Sequence, residues 1–425
     1  MTESTDSVFL KRAPHHQDAL NALGNNIRKH FDEMRLFSTE TEITLEEYVR
    51  THETEIVEAT EVGFVEFQKL ESIRSPGHDH AHLMDVLASA LRIFDEYHDL
   101  SKSEKLEIIY ACLSHDLGRA IEDELLLVDK KKTEFIAPAI IGRRLLRAAH
   151  LELPQDMQTR IIYDIASAPI PQTLHRTADT VHQCDREQLI GSATISRGLA
   201  FDSILKGREI PIRLDPTLRL KLPVPESPED TNWLIQYEFL MRNVYPPTSP
   251  EGSAAGDRIK EENCVILMLG LEGKDEEYKQ VFGPELGLIT TADNPAPNKR
   301  PIPRVVFENA QKEKAEFLKD LQTQTYVPGS EVERALALLE IENIFLPKNA
   351  AAVLQERLVQ CSALERKNFW MILEYTKRQL HERRIKSLES LKHVVIDGDA
   401  ISKMAARWVV EELGERERKF SLTHI

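Results

Sequence analysis

The segment Leu106-Glu-Ile-Ile-Tyr-Ala-Cys-Leu-Ser-His-Asp-Leu-Gly118 is apolar almost all round when it is placed on a helix. A helix of that kind is usually central to its domain. Just upstream, Ser101 followed by Glu104 has the pattern of a capping box, which predicts where this helix begins. The helix carries His115 and Asp116 into the predicted core, where an imidazole and a carboxylate are costly to bury unless each has a partner. We therefore expect the pair either to form an ion pair or to share a metal.

Helical spacing also governs the neighbouring segments, and it predicts an all-α protein. From His82 to Phe94, apolar residues recur so that one face of a helix carries Leu83, Val86, Leu87, Ala90 and the Ile93/Phe94 pair. The short apolar runs 264–269 and 286–291 are compatible with strands, but nothing in them demands a sheet. Further helices are predicted over residues 135–150, 156–168 and 180–202, and in four segments from 331 to about 419.

Breaks in this pattern predict four regions along the chain. Ser75-Pro-Gly77 interrupts the helical spacing, and a stretch rich in proline and glycine begins near residue 207. One helix is expected within that stretch, near residues 233–242. The predicted regions are an acidic helical N-terminal segment (1–74), a helical core (75–206), a Pro/Gly-rich connecting region with some helix (207–330) and a helical C-terminal region (331–425).

The composition is that of a soluble globular protein. Of the 425 residues 41% are apolar and 29% are charged, with a formal net charge of −16, which excludes a fibrous or wholly disordered chain. An acidic chain lacks the broad basic face of a general nucleic-acid binder, yet a few local cations suffice for a small phosphate substrate. The four cysteines form no CxxC pair, so neither a disulfide framework nor a thiolate zinc site is expected. Without a signal-peptide pattern or an apolar run of about 20 residues, a cytoplasmic protein with no membrane partner is expected.

Two further helices each offer a side chain that suits a metal. His82 lies early in the helix that follows Gly77, and Asp185 lies in the apolar segment 180–202. Together with His115 and Asp116 they form a set of two imidazoles and two carboxylates. Such a set suits one divalent ion, Mn²⁺ as the first expectation and Mg²⁺, Fe²⁺, Co²⁺ or Zn²⁺ as alternatives. Bound water on such an ion loses several pKa units and becomes a nucleophile near neutral pH.

The order of these residues resembles the HD-domain superfamily of metal-dependent phosphohydrolases. The similarity is closest to small bacterial HD hydrolases that carry a GHDxxHxxxV motif before the HD pair and a DRxxxxG motif after it. Here the motifs read GHDHAHLMDV over residues 77–86 and DREQLIG over residues 185–191, and the resemblance covers about residues 75–205. It implies an HD-domain helical bundle, to which the helical spacing outside these residues adds helical N- and C-terminal extensions. The implied metal ligands are His82, His115, Asp116 and Asp185.

The resemblance also implies a reaction. A metal-bound hydroxide would cleave a phosphate monoester or a phosphoanhydride, with a nucleotide as the expected substrate. Besides Asp116, the catalytic candidates are Arg119 and His78. Arg119 lies four residues after His115 and would share its helix face, where it could hold a phosphate oxygen, a local salt bridge being the alternative. His78 lies one turn before His82 and could reach a substrate phosphate or the water nucleophile.

Two departures from the family pattern matter. Where the first motif commonly has an arginine, this chain has Asp85, which removes one local cation. Some branches of the superfamily also place further histidines between the HD pair and the last aspartate to build a second metal site. The corresponding stretch, residues 134–168, supplies only His150, so a mononuclear site is expected.

Alternative functions stay open on the sequence alone. A catalytically degenerate HD module would bind a nucleotide for regulation without turnover. A helical interaction protein would instead keep His115 and Asp116 as a core ion pair. The basic run over residues 377–386 is expected to be a solvated helix face, with a phosphate-contacting patch as its alternative. His80, two residues from His82, is expected to point away from the metal site, and no oligomeric state is indicated.

Overall fold

The computed structural model is predominantly helical in the part of the chain that it describes. Of the interpretable residues 92% are helical and none forms a strand, which confirms the all-α prediction. The run 264–269 is helical where it is described, and the run 286–291 lies outside the described residues. The described residues are 45–70, 80–96, 99–116, 161, 176–188, 191–193, 195–197, 261–266, 268–270, 304–323, 331–342 and 349–422.

The longer helices are numbered here in chain order. Their bounds are α1 (Leu45–Thr51), α2 (Glu53–Leu70), α3 (His80–Glu96), α4 (Lys102–Ser114), α5 (Arg176–Glu187), α6 (Arg304–Thr323), α7 (Glu331–Ile341), α8 (Ala350–Gln360), α9 (Ala363–Asp397) and α10 (Ala400–Leu422). The four predicted C-terminal helices are confirmed as α7 to α10. The single helix predicted over residues 180–202 is wrong in its bounds: it begins earlier, at Arg176, and ends at Glu187, and the backbone turns at Gly191, where φ is positive.

Helix α4 begins at the predicted capping box. The backbone N–H of Glu104 donates to Ser101 Oγ at 3.2 Å, and the backbone N–H of Ser101 donates to Glu104 Oε2 at 2.8 Å. From Leu106 to Ser114 every side chain is buried, because α1, α3, α5 and α10 all pack against this helix. Its predicted central position is confirmed.

The described residues up to Glu187 and from Arg384 onward form one compact unit. The predicted apolar face of α3 is buried in its core, with Ile93 at the margin. Helix α10 packs against α3 and α2 and adds the core residues Ile401, Ala405, Ala406, Val409 and Leu413. Full burial of a side chain such as valine or leucine contributes about 1.5–3 kcal/mol. Helix α10 is therefore part of the core that holds α3 in place.

The described residues between Gln188 and Arg383 form a second compact unit with a core of its own. Helices α7 and α8 pack against each other in it. The aromatic residues Phe369 and Tyr375 of α9 are buried here. Helix α6 lies within the connecting region for which the sequence predicts some helix.

The predicted region boundaries coincide with residues that are not described. Residues 74, 75, 206, 207 and 330 all lie outside the described ranges, so these boundaries stay predictions. The same holds for the helices predicted over residues 135–150 and 233–242. Among the described helices, none has the length and apolar character needed to cross a bilayer.

Candidate metal centre

Three separate segments of the first unit carry the predicted metal ligands. His82 lies in the first turn of α3, and Asp185 lies in the last turn of α5. His115 and Asp116 form the turn that follows α4. The mutual packing of α3, α4 and α5 brings these helix ends together, since each helix buries its apolar face against the other two.

The four side chains meet at the distances of a single cluster. His82 Nε2 lies 3.2 Å from Asp116 Oδ2 and 3.2 Å from Asp185 Oδ1. His115 Nε2 lies 3.6 Å and 3.5 Å from the same two oxygens. The two imidazole rings have centroids 5.4 Å apart and stand edge to face at 71°. The predicted convergence of two imidazoles and two carboxylates is therefore present.

The two imidazoles are more deeply buried than the two carboxylates. The side chains of His82 and His115 are 1% and 4% exposed, whereas those of Asp116 and Asp185 are 14% and 16% exposed. The imidazoles thus lie on the core side of the cluster and the carboxylates on its outer side.

A backbone hydrogen bond fixes the orientation of the His115 ring. Its Nδ1 lies 2.9 Å from the carbonyl oxygen of Cys112. Because a carbonyl only accepts, Nδ1 is the donor, and in the neutral ring the lone pair then resides on Nε2. That atom is the one that faces Asp116 and Asp185. Histidine ligands of metals are commonly oriented by such a bond from their second nitrogen.

The charges of the cluster shift the pKa values of its members. Burial disfavours the charged imidazole of His115, but the neighbouring Asp116 and Asp185 carboxylates outweigh that effect and raise its pKa. Burial also disfavours the charged form of Asp185. The adjacent His115 and His82 rings outweigh that effect and hold the pKa of this carboxyl well below its usual range. Both shifts favour ionised carboxylates accompanied by a positive charge, which an imidazolium or a metal ion can supply.

His82, His115 and Asp185 could hold a metal ion, since one ligand atom from each lies within 4.8 Å of the others. For comparison, ligand atoms about 2.1 Å from one ion lie about 3.0 Å from one another at adjacent octahedral positions and about 3.4 Å from one another in a tetrahedron. The four nitrogen–oxygen distances within the cluster, 3.2 to 3.6 Å, lie near these values. Asp116 also presents an oxygen to both imidazoles.

The structure describes only some of the other histidines and arginines that the sequence analysis considered near the site. His78 and Arg119 lie outside the described residues, so their catalytic roles stay predictions. His80 is not part of the candidate metal-binding group, and its Nε2 lies 3.6 Å from Glu412 Oε2 on α10.

Sequence reasoning missed an arginine beside the centre. Asp85, one turn after His82, accepts a hydrogen bond from Arg416 of α10, with Nη1 and Oδ1 2.9 Å apart. A cation is therefore present beside position 85 although the sequence places an aspartate there. No local signal indicates this pair, because its members are 331 residues apart.

The prediction for the basic run of α9 is wrong at two positions. Arg384 is buried and faces Glu417 at 3.8 Å. Arg383 is half-buried and forms an ion pair with the buried Glu262. These arginines are held by carboxylates and do not form a solvated face.

Comparisons with protein-family models, with curated proteins and with solved structures found no match. The interpretation of the cluster therefore depends on its own residues and geometry.

Proposed function

We propose that this chain is a mononuclear, divalent-metal-dependent phosphohydrolase built on an HD-type helical bundle. Its substrate is a phosphate monoester or a phosphoanhydride, with a nucleotide as the first candidate because of the motif resemblance. The reducing cytoplasm is the proposed setting, in keeping with four free cysteines.

The observation that carries this proposal is the position of His82 Nε2, 3.2 Å from a carboxylate oxygen of Asp116 and 3.2 Å from one of Asp185. A buried imidazole pair with two acids is a poor way to stabilise a core, since apolar residues of similar volume often do so at least as well. The same four groups are a suitable donor set for a borderline divalent ion. Metal binding therefore explains why this composition is present at this depth.

The four ligands have distinct roles in this proposal. Asp185 supplies a carboxylate oxygen that lies 3.2 Å from His82 Nε2 and 3.5 Å from His115 Nε2, so it offers negative charge between the two imidazoles. His115 presents the Nε2 lone pair that its bond to the Cys112 carbonyl leaves available. Asp116, half-buried at the outer side, adds a second negative charge. A divalent ion at such a site supplies a Lewis acid for phosphoryl oxygens and lowers the pKa of water.

Arg119 and His78 complete the proposed set from outside the described residues. Arg119 would hold a substrate phosphate oxygen by a charge-assisted hydrogen bond. His78 would donate or accept a proton near the phosphate.

Metal binding is tested first, with Mn²⁺ alone as the probe and equilibrium dialysis of the full chain as the measurement. The wild type is expected to bind about one equivalent, since four ligands surround one position. Loss of an outer-shell partner usually weakens metal binding by about 10–100-fold. Asp185→Asn removes a ligand itself and is expected to weaken Mn²⁺ binding by more than that. Asp179→Asn, six residues earlier on the same helix, is the matched control and is expected to bind like the wild type. If the wild type binds no Mn²⁺, the result would favour the alternative in which His115 and Asp116 form a core ion pair of an interaction protein.

Turnover is tested by phosphate release from a panel of nucleoside mono-, di- and triphosphates with Mn²⁺. The wild type is expected to be active, Asp116→Ala inactive and Asp179→Asn unaffected. Equal activity in the wild type and Asp116→Ala would remove this carboxylate from the mechanism. Tight Mn²⁺ and nucleotide binding without phosphate release would favour the regulatory module instead.

A further inference from the structure

Helix α10 makes polar contacts with the first turns of α3, where His82 lies. Arg416 donates from Nη2 to the carbonyl oxygen of Ala81 at 3.0 Å and from Nη1 to Asp85 Oδ1 at 2.9 Å. On the same face of α10, Glu412 Oε2 lies 3.6 Å from His80 Nε2. The acceptors of Arg416 thus flank His82 in the chain, one residue before it and three residues after it.

The guanidinium of Arg416 is tightly constrained. Its side chain is 1% exposed, and its Nε donates to Glu412 Oε1 at 3.0 Å. A buried charge is tolerated where its hydrogen bonds are made with good geometry, and the rigid fork of an arginine fixes the direction of each bond. Movement of the first turn of α3 relative to α10 would break several of these bonds together.

The contact matters because a metal ligand must be held closely in place. Ligating side chains need support within roughly 0.5 Å, and that support commonly comes from groups that do not touch the metal. Asp85 lies on the same side of α3 as His82, one turn further on, since residues three apart are neighbours on a helix. Arg416 therefore acts on the backbone turn that carries the ligand.

We propose that Arg416 is a positioning residue of the metal centre, through which α10 sets the geometry of His82 and thereby the affinity for the metal. This inference depends on the metal binding in the proposed function, but it concerns a helix outside the segment that resembles the HD family. It assigns the C-terminal residues 400–422 a role in metal binding.

The test is a Mn²⁺ titration of the full chain, followed by the electron paramagnetic resonance signal of free Mn²⁺. Arg416→Met is expected to weaken Mn²⁺ binding by about 10–100-fold, the usual effect of losing an outer-shell partner. Arg416→Lys keeps the charge and is expected to lose less. Arg384→Met removes a comparably buried arginine whose ion pair is with Glu417 of α10, and it is expected to bind Mn²⁺ like the wild type.

A second variant keeps the test decisive if Arg416→Met does not fold. Asp85→Asn removes the charged acceptor at a partly exposed position and is expected to weaken Mn²⁺ binding in the same direction. Where both single variants fold, the double variant is expected to be little worse than Arg416→Met, because the two changes break one shared contact.

The possible failures are distinguishable. Equal Mn²⁺ affinity in the wild type, Arg416→Met and Asp85→Asn would overturn the positioning role and leave the proposed function intact. Equal losses in Arg416→Met and Arg384→Met would also overturn it, since a general loss of packing would then explain both. A wild type that binds no Mn²⁺ would overturn the proposed function itself.

Discussion

At the scale of single residues, the proposed metal centre depends on groups that orient its candidate ligands as well as on those ligands. The Cys112 carbonyl decides which nitrogen of His115 faces the carboxylates. Arg416 holds the turn that carries His82. Glu187, two residues after Asp185, pairs with Arg92 of α3 at 3.1 Å, which connects two of the helices that bear ligands. Each of these contacts restricts a ligand without touching the proposed metal.

The last residue of the DRxxxxG pattern, Gly191, lies where both the backbone conformation and the neighbouring side chains require a glycine. Its φ is +72°, a region that side chains disfavour. A Cβ there would lie 2.7 Å from Arg383 Nη2 and from Glu262 Oε1. We predict that Gly191→Ala destabilises the second unit by about 1–3 kcal/mol, as expected for a strained backbone position. Urea unfolding followed by circular dichroism measures the change.

Gly414 provides the matched control for this substitution. It lies within α10, and apart from its chain neighbours and the adjacent backbone of that helix no atom lies within 4 Å of the place where its Cβ would be. Gly414→Ala is expected to stabilise by about 0.5–1 kcal/mol, because alanine loses less backbone entropy in a helix. Equal effects of the two substitutions would contradict the strain assigned to Gly191.

At the scale of elements, the start of α10 is fixed by one carboxylate. Asp399 Oδ1 accepts the backbone N–H of Ser402 at 2.9 Å, which satisfies an unpaired donor of the first turn. Its Oδ2 accepts a hydrogen bond from Lys105 Nζ of α4 at 2.8 Å. The same residue thus caps one helix and ties it to another.

Asp399→Ala is predicted to lower the free energy of unfolding by about 1–2 kcal/mol at pH 7, mainly through loss of the cap. Burial would raise the pKa of Asp399, but Lys105 and Ser402 outweigh that effect and lower it below 3.8. A carboxyl with a depressed pKa contributes stability above its unfolded pKa and loses it as the pH falls through the folded value. The difference between wild type and variant should therefore shrink below about pH 4.

Denaturant unfolding at pH 7 and near pH 3 checks this prediction. Asp397→Ala, at an exposed position two residues earlier, is expected to change stability by less than about 0.5 kcal/mol at either pH. A destabilisation by Asp399→Ala that stays constant with pH would contradict the assigned charge state.

At the scale of the whole molecule, local patterns in the sequence predicted the helices and the candidate ligands, whereas contacts between distant residues could not be predicted. The capping box at Ser101, the buried α4 and the segments that carry His82 and Asp185 all follow from spacing within one helix. The pairs Asp85–Arg416 and Glu262–Arg383 do not, because ion pairs between distant residues leave no periodicity in either segment. The packing of α10 against α3 could not be predicted for a similar reason. An amphipathic pattern shows that one face of a helix is buried, but not which helix covers it.

Binding of Mn²⁺ is predicted to stabilise the two units unequally. A ligand at about 100 times its Kd stabilises the folded state that binds it by about 2.7 kcal/mol. Amides that exchange only when that unit opens should then exchange about 100-fold more slowly. Amides of α3, α4, α5 and α10 should be protected, whereas those of α6, α7 and α8 should exchange as before. Hydrogen exchange with mass spectrometry measures this, with Asp185→Asn as the control that abolishes the effect. Protection confined to the loops nearest the ligands, with α10 unchanged, would contradict the conclusion that α10 and the metal centre belong to one cooperative unit.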